Sequence, residues 1–161
     1  MRYWLMKTEP SEFSLDDLKR APDGTAPWDG VRNYQARNHM RDGMRVGDRV
    51  LFYHSSTDPT AVVGTARVVR EAYPDESAWN KKSPYYDPRS TPDHPVWLRV
   101  DVQFESELPH PVSLEELRKV PALKDMMVIR KGMRLSIQPV TAGEFAAVLQ
   151  HAERLAQAAR Q

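Results

Sequence analysis

The sequence predicts an α+β fold, a small mixed or antiparallel β-barrel flanked by short helices and closed by an amphipathic C-terminal helix. Three observations predict it. Val96, Leu98, Val100, Val102 and Phe104 alternate with Trp97, Arg99, Asp101 and Gln103, which is a strand with one face on a core. The other strand-like runs are short, uneven and separated by irregular helical insertions, without the βαβ alternation of a parallel sheet. The 161 residues, 40% apolar and 28% charged, match one domain, 1–161, with a sizeable core.

Each element has its own signal. Residues 2–7 form the first strand. Ser14 caps a short helix, SLDDLKR, with Asp17 at its third position. Asp29-Gly30 is a turn. A helix runs from about Asn33 to Asp42 and ends at Gly43. Its apolar seam is thin (Ala36, Met40), and Tyr34, Arg37, Asn38 and Arg41 lie on another side. In GDRVLFYHSS both alternating sets are largely apolar, so this strand is covered on both faces. HSSTDP is a hairpin loop leading to a β-rich run, residues 60–73, in which Gly64 marks a bend or bulge. Ser113 caps VSLEELRKV, RLSIQP is a short strand, and a helix from about Thr141 buries Phe145, Val148, Leu149, Ala152, Leu155 and Ala156. Between Tyr73 and Pro95 five prolines forbid a continuous helix or central strand. Trp79, Tyr85 and Tyr86 anchor this excursion as a lid over the mouth of a site.

Composition excludes several function classes. Without cysteine there is no disulfide, thiolate metal site or Cys nucleophile. No apolar run is long enough for a membrane span, and the polar N-terminus is no secretory signal. The expectation is a cytoplasmic monomer, nuclear if the source is eukaryotic, with no cofactor, metal or membrane partner. A net charge of +1 gives no global polyanion signal, but residues 118–134 hold six cations against Asp125 alone.

Enzyme motifs are missing: no GxGxxG, Walker loop, HEXXH or GxSxG occurs, and the five histidines are isolated. In Tyr53-His54-Ser55 neighbouring strand residues point to opposite faces, which separates base from nucleophile. Aromatics and amides remain, beside cations. Rings stack on an extruded base, amides and hydroxyls read its edge, and Arg or Lys hold phosphate. From residue types alone, ordinary core packing of these aromatics is the plainer reading; a non-catalytic reader of nucleic acid, DNA or RNA, an RNA-modification module, a nucleotide enzyme and a protein-interaction module stay open beside it.

YWLMKTEP, WDGVRNYQARNHMRDGMRVGDRVLFYHS, VVGTARVVREAYPD, SPYYDP and RLSIQPVT, in unbroken order, resemble the EVE domain family. The resemblance implies a PUA-like barrel related to the YTH readers of methylated adenine. It also implies a pocket for a modified base, methylated or hydroxymethylated cytosine, and no catalytic residues. It brings Lys7, Thr8, Trp28, Asn33, Tyr53, His54, Ser55, Ser136 and Gln138 to that pocket. Thr8 stands where the family more often has Ser, keeping the hydroxyl and adding a methyl. Arg32, Arg37, Arg41, Lys131 and Arg134 are then expected along the nucleic-acid backbone, Arg134 alternatively in a salt bridge.

Overall fold

The computed structural model describes residues 1–161. Six strands form one sheet: β1 (Tyr3–Thr8), β2 (Thr25–Pro27), β3 (Arg49–His54), β4 (Ala61–Pro74), β5 (Leu98–Ser113) and β6 (Ile137–Val140). Their order is β2-β5-β4-β3-β1-β6, with β1 and β3 parallel and every other pair antiparallel. The expected mixed sheet with short helices is present, but it does not close into a barrel. β2 and β6 are edges of three and four residues, and Pro139 lacks the N–H that a further strand would need.

Each face of the sheet has its own core, as the doubly apolar pattern of β3 requires. Trp4, Met6, Val50, Phe52, Val100 and Val102 point to one face and pack with α1 (Leu15–Arg20) and with α2 (Tyr34–Asn38) and the π-helical turn that continues it to Gly43. Leu5, Leu51, Tyr53 and Val62 point to the other and pack under α3 (Leu114–Arg118) and α4 (Ala142–Ala159). The cap forms as predicted at Ser14, and Thr141 caps α4; each closes a reciprocal capping box. Ser113 caps α3, but the Glu116 carboxylate reaches His151 and Lys119 instead of closing a box.

A parallel pair needs a crossover. Residues 9–48 make it between β1 and β3, through α1, β2 and α2. The crossover is fastened at its end by buried Asp48, whose carboxylate accepts from the Arg2 and Arg45 backbone N–H groups and from the Trp4 indole. Gly64 sits where the β4–β5 register shifts, and a Cβ there would lie 2.6 Å from Leu15 and from the Ser106 carbonyl. β5 runs well past Phe104, where the clean alternation stops, to Ser113.

Candidate nucleic-acid interface

A cleft of about 690 Å³ opens where β1 and β3 end. Thr8, Ser55 and Ser56 come from the strand ends, Ser136 from the approach to β6, and Pro27–Arg32 from the crossover. The Ser55 N–H donates to the Thr8 carbonyl and the Lys7 N–H to the Ser136 carbonyl, so three segments distant in sequence meet at one mouth.

Trp28 is one wall. Only 7% of it is exposed, so it presents an edge of its ring to the cleft instead of a free platform. Phe52 and Phe13 meet its ring edge-on at 5.5 and 6.2 Å, and the Trp28 backbone N–H donates to the Val100 carbonyl. Tyr85 is the facing aromatic. Its ring lies against Gly30, where a Cβ would be 2.7 Å from ring carbons, and Gly30 holds φ at +79°, which side chains avoid. The Tyr85 hydroxyl donates to Glu12, and its pKa is raised by burial and by that carboxylate.

The Tyr85 loop is locked to the Trp28 loop. Asp75, fully buried, accepts from the Gly30 N–H, from Arg32 and from the Ser77 N–H and hydroxyl. Arg32 also donates twice to the Tyr85 carbonyl, and to the Val31 carbonyl and Ser77 hydroxyl. Its donors are thereby engaged, so it braces the wall and offers no fork to phosphate. The excursion is therefore an ordered flank, with a short 3-10 helix at Glu76–Trp79.

Other polar groups in the cleft are less occupied. The Thr8 hydroxyl donates to the Phe13 carbonyl and keeps its acceptor capacity. The Ser55, Ser56 and Ser136 hydroxyls carry no side-chain hydrogen bond in the structure. Lys7 reaches the Met133 carbonyl at 3.3 Å, and burial lowers its pKa. Asp29 has a raised pKa through burial and the nearby Asp75 charge, against Arg99 and Arg32. Arg134 is exposed at the rim and has no ion pair.

The structure brings Lys7, Thr8, Trp28, Ser55, Ser136, Arg134, Arg32 and Tyr85 together around one cleft, with Arg32 bracing its wall. Four predicted pocket residues stand elsewhere. Asn33 accepts from the Ala36 N–H as the cap of α2. Tyr53 and Gln138 fall on the opposite face because side chains alternate along a strand. Tyr53 is packed in the second core, and the Gln138 amide donates to the Leu135 carbonyl. His54 accepts the Leu15 N–H at the start of α1, and burial holds its pKa below the usual value, against the opposing charge of Asp16.

Of the other predicted backbone cations, Arg37 bonds the Val96 carbonyl and Asn38, and Arg41 pairs with Asp42. Lys131 is exposed in the Arg134 loop but does not line the cleft. The 118–134 cluster is split: Met133 and Arg134 reach the cleft, whereas Arg118 stands near Tyr53 on the second face. Trp79 lines no part of the cleft, and Tyr86 lines a smaller groove beside it.

Sequence reasoning missed Phe13, Glu9, Glu12 and Asp29 as cleft residues. Phe13 and Glu12 sit in a turn between β1 and α1 with no periodicity to reveal them. Asp29 was legible only as half of a turn. No group of three or more acidic or histidine side chains is arranged to hold a metal ion, and no helix is long and apolar enough to cross a membrane.

The EVE domain model matches residues 2–151. Thymocyte nuclear protein 1 of Danio rerio is 44% identical over 91% of this chain and 70% of its own length. A hypothetical protein from Leishmania major of known structure is 46% identical, with a TM-score of 0.90 over 96% of each chain. The human THYN1 protein, crystallised in complex with DNA containing 5-methylcytosine, is 42% identical, with a TM-score of 0.88 over 95% of this chain and 98% of that one. The α+β, PUA-like architecture is shared with that structure, here with an open sheet.

Proposed function

The chain belongs to the EVE domain family, and from that membership we propose that it is a non-catalytic reader that takes a 5-methylated or 5-hydroxymethylated cytosine of DNA into the cleft between Trp28 and Tyr85. The observation that carries this reading is the juxtaposition in one cleft of two aromatic walls, unoccupied serine hydroxyls and a free rim arginine. The relative bound to 5-methylcytosine DNA, 42% identical, supports the choice of base and polymer. The Trp28 edge and Tyr85 ring supply apolar and stacking surface. The hydroxyls of Thr8, Ser55 and Ser136 and the Lys7 ammonium meet the polar edge of the base. Arg134, and Lys131 beyond it, face the phosphates. Asn33, Tyr53, His54, Gln138 and Arg32 hold the frame.

The test is a binding series with DNA oligonucleotides carrying cytosine, 5-methylcytosine or 5-hydroxymethylcytosine, with RNA of the same sequence as a further arm, across a range of salt. A preference for a modified cytosine in DNA is expected. Arg134→Ala should weaken binding to every oligonucleotide alike and reduce the salt slope by about 1. Ser136→Ala should erode the preference with the slope unchanged. Equal affinity for modified and unmodified DNA refutes the reading.

A further inference from the structure

Arg32 and Tyr85 have a second side. Both line the cleft, and both also line an adjoining groove of about 220 Å³. Across that groove stand Tyr86, Trp97 and Arg89. We propose that this groove is a second nucleobase site, one that stacks the base next to the nucleotide held in the cleft. The inference rests on the base-reading cleft and extends it to a neighbouring nucleotide.

Exposed rings are the first ground. Among the exposed large apolar side chains only Tyr34 and Tyr86 are aromatic, 50% and 38% exposed; Tyr86 lines the groove, and Tyr34 lies just outside its lining, against Trp97. Tyr34 opens α2 with its ring 4.8 Å from that of Trp97, tilted by 32°. Trp97 is buried and forms the floor, with the Arg32 guanidinium 5.6 Å from its ring centre. Tyr34 and Tyr86 each leave ring surface in solvent near buried Trp97, more than core packing requires.

Charge is the second ground. Asp87 is the one acid of the groove, and it is engaged by the Trp97 indole at 2.7 Å and by Arg89. Arg89 uses Nε and Nη2 for that contact and leaves Nη1 outward on a side chain 67% exposed. Arg37 lies 4.9 Å over the Tyr34 ring, and Lys81 and Lys82 are exposed on the same segment. Rings bordered by cations suit a base and its phosphate. An apolar peptide would leave Arg89 Nη1 and the exposed Lys81 and Lys82 without partners.

Continuity and rigidity are the third. A nucleotide drawn into the cleft brings its covalent neighbours with it, and Tyr85 is the wall over which one of them leaves. The groove segment is already ordered by Arg32 on the Tyr85 carbonyl and by the Asp87 N–H on the Ala78 carbonyl, so little ordering cost remains on binding.

Two oligonucleotides separate the possibilities, each with one 5-methylcytosine and a fluorescent 2-aminopurine on its 5′ or its 3′ side. Binding should quench the 2-aminopurine in one of the two by stacking. Tyr86→Ala should restore its fluorescence and weaken affinity about tenfold for modified and unmodified DNA alike, leaving their ratio unchanged. Tyr34→Ala should act the same way. Both residues are exposed, and unchanged thermal melting would verify the fold. If neither substitution alters fluorescence or affinity while the preference for 5-methylcytosine persists, the groove proposal fails and the cleft reading stands. If wild-type protein shows no preference, the cleft reading itself has failed. If Tyr86→Ala instead abolishes self-association seen by sedimentation, the groove is a protein contact and the proposal is overturned.

Discussion

Asn33 separates two tasks that one side-chain oxygen cannot perform together. Its Oδ1 caps α2 through the Ala36 N–H. Asn33→Ala should therefore cost about 1 kcal/mol in stability, measured by urea denaturation, while the modified-to-unmodified affinity ratio stays as it was. A lost ratio at unchanged stability would return Asn33 to the ligand. His54 and Gln138 show how far single residues were legible. Their chemistry was visible in FYHS and RLSIQP, but their partners are the Leu15 N–H and the Leu135 carbonyl. A backbone group has no side-chain signature, so no motif could announce either bond. Trp28 was legible as a wall, whereas its rigidity comes from Phe13 and Phe52, which local pattern does not connect to it.

Among elements, the excursion between β4 and β5 carries the most consequence. Five prolines and three aromatics marked it as ordered and non-regular, and it is both. What they did not mark was Asp75, the residue that joins it to the Trp28 loop. Burial alone would raise the Asp75 pKa, but bonds from Ser77, Gly30 and Arg32 outweigh it and hold the carboxyl below its usual value. Asp75→Ala leaves a half-buried guanidinium and two backbone N–H groups without their partner. A loss of about 3–5 kcal/mol in denaturant unfolding is expected, with faster proteolysis at Lys81 and Lys82. A loss under about 1 kcal/mol would move the anchor to Asp87. Most strands and the capped helices were legible because alternation and caps are local, but the three-residue β2 and the run of β5 beyond Phe104 carry no such pattern. The closure of the sheet was not, since it depends on whether two short edges meet.

At the scale of the whole molecule, stability should fall with acid in two stages. Burial lowers the folded-state pKa of His39 and His54, so the unfolded chain takes up those protons first, beginning below about pH 6.5. Asp75 and Glu105 act lower. For Glu105 burial would raise the pKa, but bonds from Arg49 and Thr65 bring it down on balance. Their contribution is complete above the unfolded carboxylate values, about 3.9–4.3, and is lost as pH falls through the folded ones. Urea midpoints from pH 8 to 3 should decline from about pH 6.5 and again below about pH 4. A flat profile down to pH 5 would mean that both histidines titrate as in the open chain. The position of β1 between β3 and β6 has a further consequence, in the order of synthesis. Tyr3–Thr8 leave the ribosome more than 120 residues ahead of Ser136, whose carbonyl receives the Lys7 N–H. Translation at about 5–20 residues per second therefore leaves the N-terminal strand waiting several seconds for one of its two neighbours. A nascent chain that has not yet released Ser136 carries Trp28 but no completed cleft, so the mouth assembles only once β6 has emerged.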